Sequence, residues 1–183
     1  MPVGRLVTAS NQLWEVDIKY GYIAGENRFF FVSPSLTFLT AALWATILGC
    51  AAKLKMLWLP LKEHFLNGSC LRRQKLVIRS DNGPQFISNL FDMTCRELSM
   101  EHERIPFKTP NLNAHIESFH SILEEECLSR HEFSSYAEAY ETVTGFIWHY
   151  NNVRIHSATH YLAPAECYQL LMRNQMHLKP VRL

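Results

Sequence analysis

The chain has 183 residues, 48% hydrophobic and 19% charged, which suits one core-forming domain and excludes a disordered chain. Lysine and arginine total 18 against 17 acids, so the net charge is +1 and any nucleic-acid contact needs a local patch rather than a bulk basic field. The five cysteines are odd in number, widely spaced and lack a C-x-x-C pair, which argues against a disulfide scaffold or zinc knuckle and fits a reducing cytoplasm.

Leu13 to Tyr20 alternates apolar and charged side chains around Val16 and Ile18, the period of a strand. Gly21 and Gly25 mark a turn, and Arg28 to Val32 returns as a hairpin partner. Leu76 to Ile78 is a short apolar strand that stops at Asp81-Asn82-Gly83-Pro84. Asn82 and Gly83 are expected to shape that turn through a left-handed backbone. Ser88 is placed to cap a helix carrying Phe91, Thr94, Cys95 and Leu98. A second helix follows Pro110-Asn111, with Ile116, Phe119, Leu123 and Cys127 at helical spacing. Ser135 with Glu138 reads as a capping box. The helix it opens has Tyr136, Ala139, Tyr140, Val143, Ile147 and Tyr150 as its inner stripe. Pro164 suits the first turn of a last helix with Ala165, Tyr168 and Leu171.

Three acids fall at chemically useful places in this pattern. Asp17 lies in a strand, Asp81 follows one, and Glu117 flanks the buried stripe of a helix. Three carboxylates drawn onto one groove repel one another and hold protons. Hard divalent cations with a preference for oxygen ligands remove that penalty. Two such ions about 4 Å apart can activate an attacking hydroxyl and stabilise the leaving oxygen of a phosphodiester.

The words around these acids carry more information. They read Trp14-Glu15-Val16-Asp17-Ile18, Ser80-Asp81-Asn82-Gly83-Pro84-Gln85-Phe86 and Asn113-Ala114-His115-Ile116-Glu117-Ser118-Phe119-His120, with 35 residues between Asp81 and Glu117. Together with Tyr150-Asn151-Asn152-Val153-Arg154-Ile155-His156-Ser157 and Leu162-Ala163-Pro164-Ala165-Glu166, they resemble the catalytic core of IS3-type insertion-sequence transposases, relatives of retroviral integrases with a D,D(35)E signature. The resemblance covers residues 10–33 and 61–170. It implies an α/β, ribonuclease-H-like fold, a mixed five-stranded sheet flanked by helices. It also implies Mg²⁺- or Mn²⁺-dependent phosphoryl transfer on DNA, cutting element ends and joining strands. By motif match, Asp17, Asp81 and Glu117 become ligands to two ions. Asp17 and Asp81 would share one, and Asp17 or Glu117 would complete the other. Many relatives carry a cation seven residues after the glutamate, where this chain has Glu124, followed by Glu125 and Glu126. Acids there repel phosphate.

On this reading residues 1–12 are the remnant of an upstream linker, 13–172 the integrase core and 173–183 a C-terminal tail. No signal peptide is read in Met1 to Asn11. The family's helix-turn-helix module has no counterpart here, so the expected partners are DNA, further copies of the chain, or a separate helix-turn-helix protein. Residues 34–60 depart from the family pattern. No charged residue occurs from Phe29 to Ala52, a length that would suit a membrane span, but a single span would part Asp17 from Asp81. The stretch instead fits a frameshifted substitute for a strand and helix. Trp44 ends in G and Ala45 begins GC, so the shifted codon is Gly, where relatives commonly have one. Such a segment is expected to be aberrant, with uncontrolled register and an exposed Leu36, Phe38, Leu39, Leu43 and Trp44 surface.

Arg104 and Lys108 are candidate phosphate contacts, with Asn113, His115 and Arg154 as further DNA-binding candidates. His156 and His160 form an H-x₃-H without cysteine partners, and read as ordinary histidines rather than zinc ligands. Tyr136, Tyr140, Phe146 and Tyr150 read as core. The alternatives to a transposase core are an inactive remnant that binds DNA or an intact partner, and a simple ribonuclease-H-like nuclease.

Overall fold

A computed structural model describes residues 4–50, 76–106 and 109–183. Its strands are β1 (Leu6–Val7), β2 (Leu13–Val16), β3 (Lys19–Ile23), β4 (Arg28–Thr37), β5 (Leu43–Gly49), β6 (Val77–Ser80), β7 (Glu101–Arg104) and β8 (Val181–Arg182). Its helices are α1 (Asn89–Glu97), α2 (Ala114–Glu126), α3 (Tyr136–Asn152) and α4 (Pro164–Met172). β5, β4, β2 with β3, β6 and β7 form a mixed sheet. The hairpin side is antiparallel, and β2–β6–β7 is parallel.

The expected single strand Leu13–Tyr20 is interrupted at Asp17-Ile18, and the two halves keep one register on β4. Val16 faces Ser35 and Lys19 faces Val32, so Asp17 falls opposite Pro34, which has no N–H to offer a ladder. Counted as one interrupted strand, β2 and β3 complete a five-stranded sheet. Gly21 is not in the turn. It lies within β3 opposite Phe30, whose ring passes 2.3 Å from where a Cβ would sit. The turn is Ala24–Glu26, closed by Asn27 in the left-handed region.

Strand alternation divides the core. Trp14, Val16, Phe31 and Ile78 face α1 and pack on Phe86, Phe91, Cys95 and Met100. Phe30, Val32 and Leu36 face α2 and α3, against Ile116, Phe119, Leu123, Val143 and Tyr150. Both N-caps read from sequence form. Ser88 Oγ accepts the Phe91 amide, and Ser135 Oγ accepts the Glu138 amide. The return bond of the capping box shifts by one residue, because Glu138 Oε2 accepts the N–H of Ser134. On α3, Ala139, Val143 and Tyr150 are buried, whereas Tyr140 is 50% exposed and leaves the expected stripe.

Residues 34–50 are not aberrant in form. β4 runs to Thr37, and β5 pairs with it through a bulge between Ser35 and Leu36. Leu36, Phe38 and Leu43 are buried rather than forming an exposed apolar surface. Asn151 pins the β5 edge by accepting the Leu43 N–H at 2.9 Å and donating to its carbonyl at 2.7 Å. The Tyr136 hydroxyl donates to the Leu48 carbonyl. These contacts lie along β5, which among the described residues pairs only with β4. The remainder of the proposed frameshifted stretch, 51–60, lies outside the described residues. No helix among the described residues is long and apolar enough to cross a membrane. At the chain ends β1 pairs with β8, so the segments read as linker and tail clip together.

Candidate functional site

Alternation along β2 and β6 turns Glu15 and Asp17, and Arg79 and Asp81, toward the face covered by α2. Asp17 stands at the break in its strand, where Oδ1 accepts the Ile18 N–H at 2.7 Å. Asp81 sits just past the end of β6, and its Oδ1 accepts the Gly83 N–H at 2.9 Å. The turn is therefore an Asx turn. Neither Asn82 nor Gly83 adopts a positive φ, contrary to expectation. Gly83 is required for room instead, since a Cβ would meet Gln85 Nε2 at 2.8 Å and Asp81 Oδ1 at 3.0 Å. Asn82 donates to the Ile105 carbonyl, tying the ends of β6 and β7 together. Glu117 lies in the first turn of α2 and is exposed.

The charges of Asp81 and Glu117 reach Asp17. Burial pushes the Asp17 carboxyl up from 3.8 to about 6; the Ile18 N–H opposes that rise, and the Asp81 and Glu117 charges add to it. His120 Nδ1 lies 3.5 Å from Asp17 Oδ2. Burial and the Lys19 charge hold that imidazole down to about 4, so the contact is with a neutral ring and is not an ion pair at neutral pH. Among the described residues, no three Asp, Glu, His or Cys side chains converge closely enough to form a ready cage for a metal ion. The donor chemistry nonetheless suits a hard cation. All three candidates are carboxylates, and burial first, with the Asp81 and Glu117 charges adding to it, raises the carboxyl of Asp17.

The remaining candidates separate by position. Arg104 ends β7 as the register partner of Ser80, on the α1 face near His102 rather than on the face of the acids, and is exposed. His115 is 47% exposed; its Nδ1 lies 3.2 Å from Glu15 Oε1, and its ring meets Phe38 edge-on. Asn113 is buried, with Oδ1 lacking a partner among the described residues. Arg154 pairs with Glu126 at the far end of α2, about 14 Å along the helix from Glu117. Lys108 lies outside the described residues. Glu124, at the position where many relatives place a cation, is paired with Lys19 at 2.8 Å. His156 stacks edge-on against Tyr150.

Sequence reasoning missed the buried charges beneath α2. Glu15, Arg79 and Glu103 occupy one cross-strand row over β2, β6 and β7, all nearly inaccessible to solvent. Arg79 gives Nε and Nη2 to Glu103 at 2.7 and 2.6 Å and Nη1 to the Leu112 carbonyl at 3.0 Å. The available signal was a charged residue two positions before each strand acid, on the same face.

Residues 98–164 match the family model described as "Integrase core domain". The uncharacterized 39.2 kDa protein of insertion element IS476 from Xanthomonas euvesicatoria is 37% identical over 98 residues, 54% of this chain and 28% of that protein. The transposase for insertion sequence element IS904 from Lactococcus lactis is 29% identical over 92 residues, 50% of this chain and 36% of that protein. The chain thus spans about a third of the length of the curated relatives it matches. Among solved structures, the simian T-cell lymphotropic virus intasome, in complex with PP2A regulatory subunit B56 gamma, aligns with a TM-score of 0.72 at 19% identity. That match covers 92% of this chain and 58% of the other. The HTLV-2 integrase catalytic core in complex with magnesium aligns at 0.66 and 15%, covering 87% of this chain and 97% of the other. These matches show the fold.

Proposed function

We propose, for a chain that carries the integrase core of insertion-sequence transposases, that Asp17, Asp81 and Glu117 serve metal-dependent cleavage and joining of DNA strands, in the manner of the IS3 group. The observation that carries the reading is geometric: Asp17 and Asp81 leave the ends of two paired parallel strands on the face covered by α2, whose first turn bears Glu117, and burial, with those two charges adding to it, raises the Asp17 carboxyl. These side chains would hold Mg²⁺ or Mn²⁺, which would supply charge neutralisation and activation of a water or DNA 3′-hydroxyl. Asp17 and Asp81 enter from strand ends fixed by the sheet, and Glu117 from a helix packed over it. Asp17 and Asp81 each follow directly on a sheet strand and Glu117 lies in the first turn of a helix, so regular elements flank all three acids. His115, exposed in the same first turn of α2 as Glu117, would position a phosphate, and Arg104, exposed at the β7 end, would meet the DNA backbone further out; the scissile strand would lie between the β6 end and the α2 start.

The test uses purified protein with labelled duplex carrying the ends of the coding element, in Mn²⁺. Joined products support the transposase reading, and nicks alone indicate a nuclease of the same fold. No product in either channel indicates an inactive core. Asp81→Asn should abolish all product; cutting that survives it would assign the activity elsewhere.

A further inference from the structure

The α2 start lacks its own cap. Asn113 stands at the N-cap position without a side-chain hydrogen bond to the helix. In its place Glu15, fully buried on β2, reaches across: Oε2 accepts the Ile116 N–H at 2.9 Å, and Oε1 lies 3.2 Å from His115 Nδ1. One residue before the cap, Arg79 of β6 holds the Leu112 carbonyl, while its other nitrogens are fixed by Glu103. Arg5 locks Glu103 from the other side. Glu15 and Arg79 are register partners, and each stands two residues before a site acid on the same face.

We infer that Glu15 is a positioning residue: a cap supplied by another element that fixes the α2 start, and with it Glu117, against the strand that bears Asp17. This rests on the proposed function for its consequence, but the capping itself does not. Glu15 stands two residues before Asp17 on the same strand face and Ile116 immediately precedes Glu117, so the bond between them ties the α2 start to the strand that leads into Asp17. A carboxylate held by a backbone amide and an imidazole has little rotational freedom, which suits a supporting group better than a ligand.

The experiment compares the full chain with Glu15→Gln, which keeps one oxygen acceptor, and Glu15→Met, which keeps the length and removes both. Met100→Ala, on the opposite face of the sheet, controls for general destabilisation. Amide hydrogen exchange at Ile116 reads the cap, and Mn²⁺ affinity by water-proton relaxation reads the positioning. Expected are a protected Ile116 amide in the wild type and in Glu15→Gln, and an unprotected one in Glu15→Met. Mn²⁺ affinity should fall about 10- to 100-fold in Glu15→Met, recover in Glu15→Gln and stay unchanged in Met100→Ala. An Ile116 amide that exchanges freely in the wild type overturns the cap, whether or not the variants fold. Equal Mn²⁺ affinity in wild type and Glu15→Met overturns the positioning role. A wild type that binds no Mn²⁺ but protects Ile116 overturns the proposed function and the positioning role with it, and leaves the cap standing.

Discussion

Asp17 carries opposed demands. Its side chain is half-buried at a strand break, feels the charges of two other acids and has one backbone amide to satisfy it. Because its carboxyl sits near 6 in the folded chain against 3.8 in an unfolded one, ionising it opposes folding. The penalty is complete above pH 6 and fades as pH falls toward 4. Asp17→Asn, which can keep the bond to Ile18, should therefore raise the metal-free stability at pH 7 by about 1–3 kcal/mol. The gain should vanish near pH 4 in thermal melts across that range. Gly83 is a second residue-scale constraint. Gly83→Ala should displace Asp81 and lower Mn²⁺-dependent cleavage at least about tenfold while changing the melting temperature little, since the crowded atoms are side-chain ends. Both outcomes separate the needs of the site from those of the fold.

At the scale of elements, α2 is held by charge and α3 by its own cap. The Arg79–Glu103 pair is buried between parallel strands, and removing one partner leaves the other charge without compensation. Glu103→Ala should cost about 3–5 kcal/mol in denaturant unfolding, far more than losing the exposed Lys19–Glu124 pair, at about 0–1 kcal/mol. Ser135→Ala should cost about 1 kcal/mol by loss of the bond to the Glu138 amide. Helix starts were legible because Ser88, Ser135 and Pro164 act locally on the backbone beside them. The strand break at Asp17 was not legible, because its cause is Pro34 on the neighbouring strand. β5 was hidden for the same reason. Its apolar, unalternating residues become a strand only when β4 supplies the ladder and Asn151 and Tyr136 cover the free edge.

At the scale of the molecule, the sheet order sets the β2 and β6 ends side by side, and α2, packed over β2 and β4, is the element from which the proposed site would take its third acid. Local words around Asp17, Asp81 and Glu117 made these candidates legible, because each word also builds the turn or helix that carries its residue. The buried row of Glu15, Arg79 and Glu103 escaped notice because a charge becomes structural only when its partners, distant in sequence, are known. If the three acids share one site, a divalent ion should relieve their repulsion and stabilise the fold. Mn²⁺ at about 100 times its dissociation constant should then add about 2.7 kcal/mol to the wild type and much less to Asp17→Asn. The most direct test needs no metal and no DNA: carboxyl carbon NMR of Asp17, followed with pH in the wild type, Asp81→Asn and Glu117→Gln. A shared site requires Asp17 to titrate near pH 6 and to move downward when either neighbour loses its charge. An ordinary aspartate titration, indifferent to both substitutions, would contradict it.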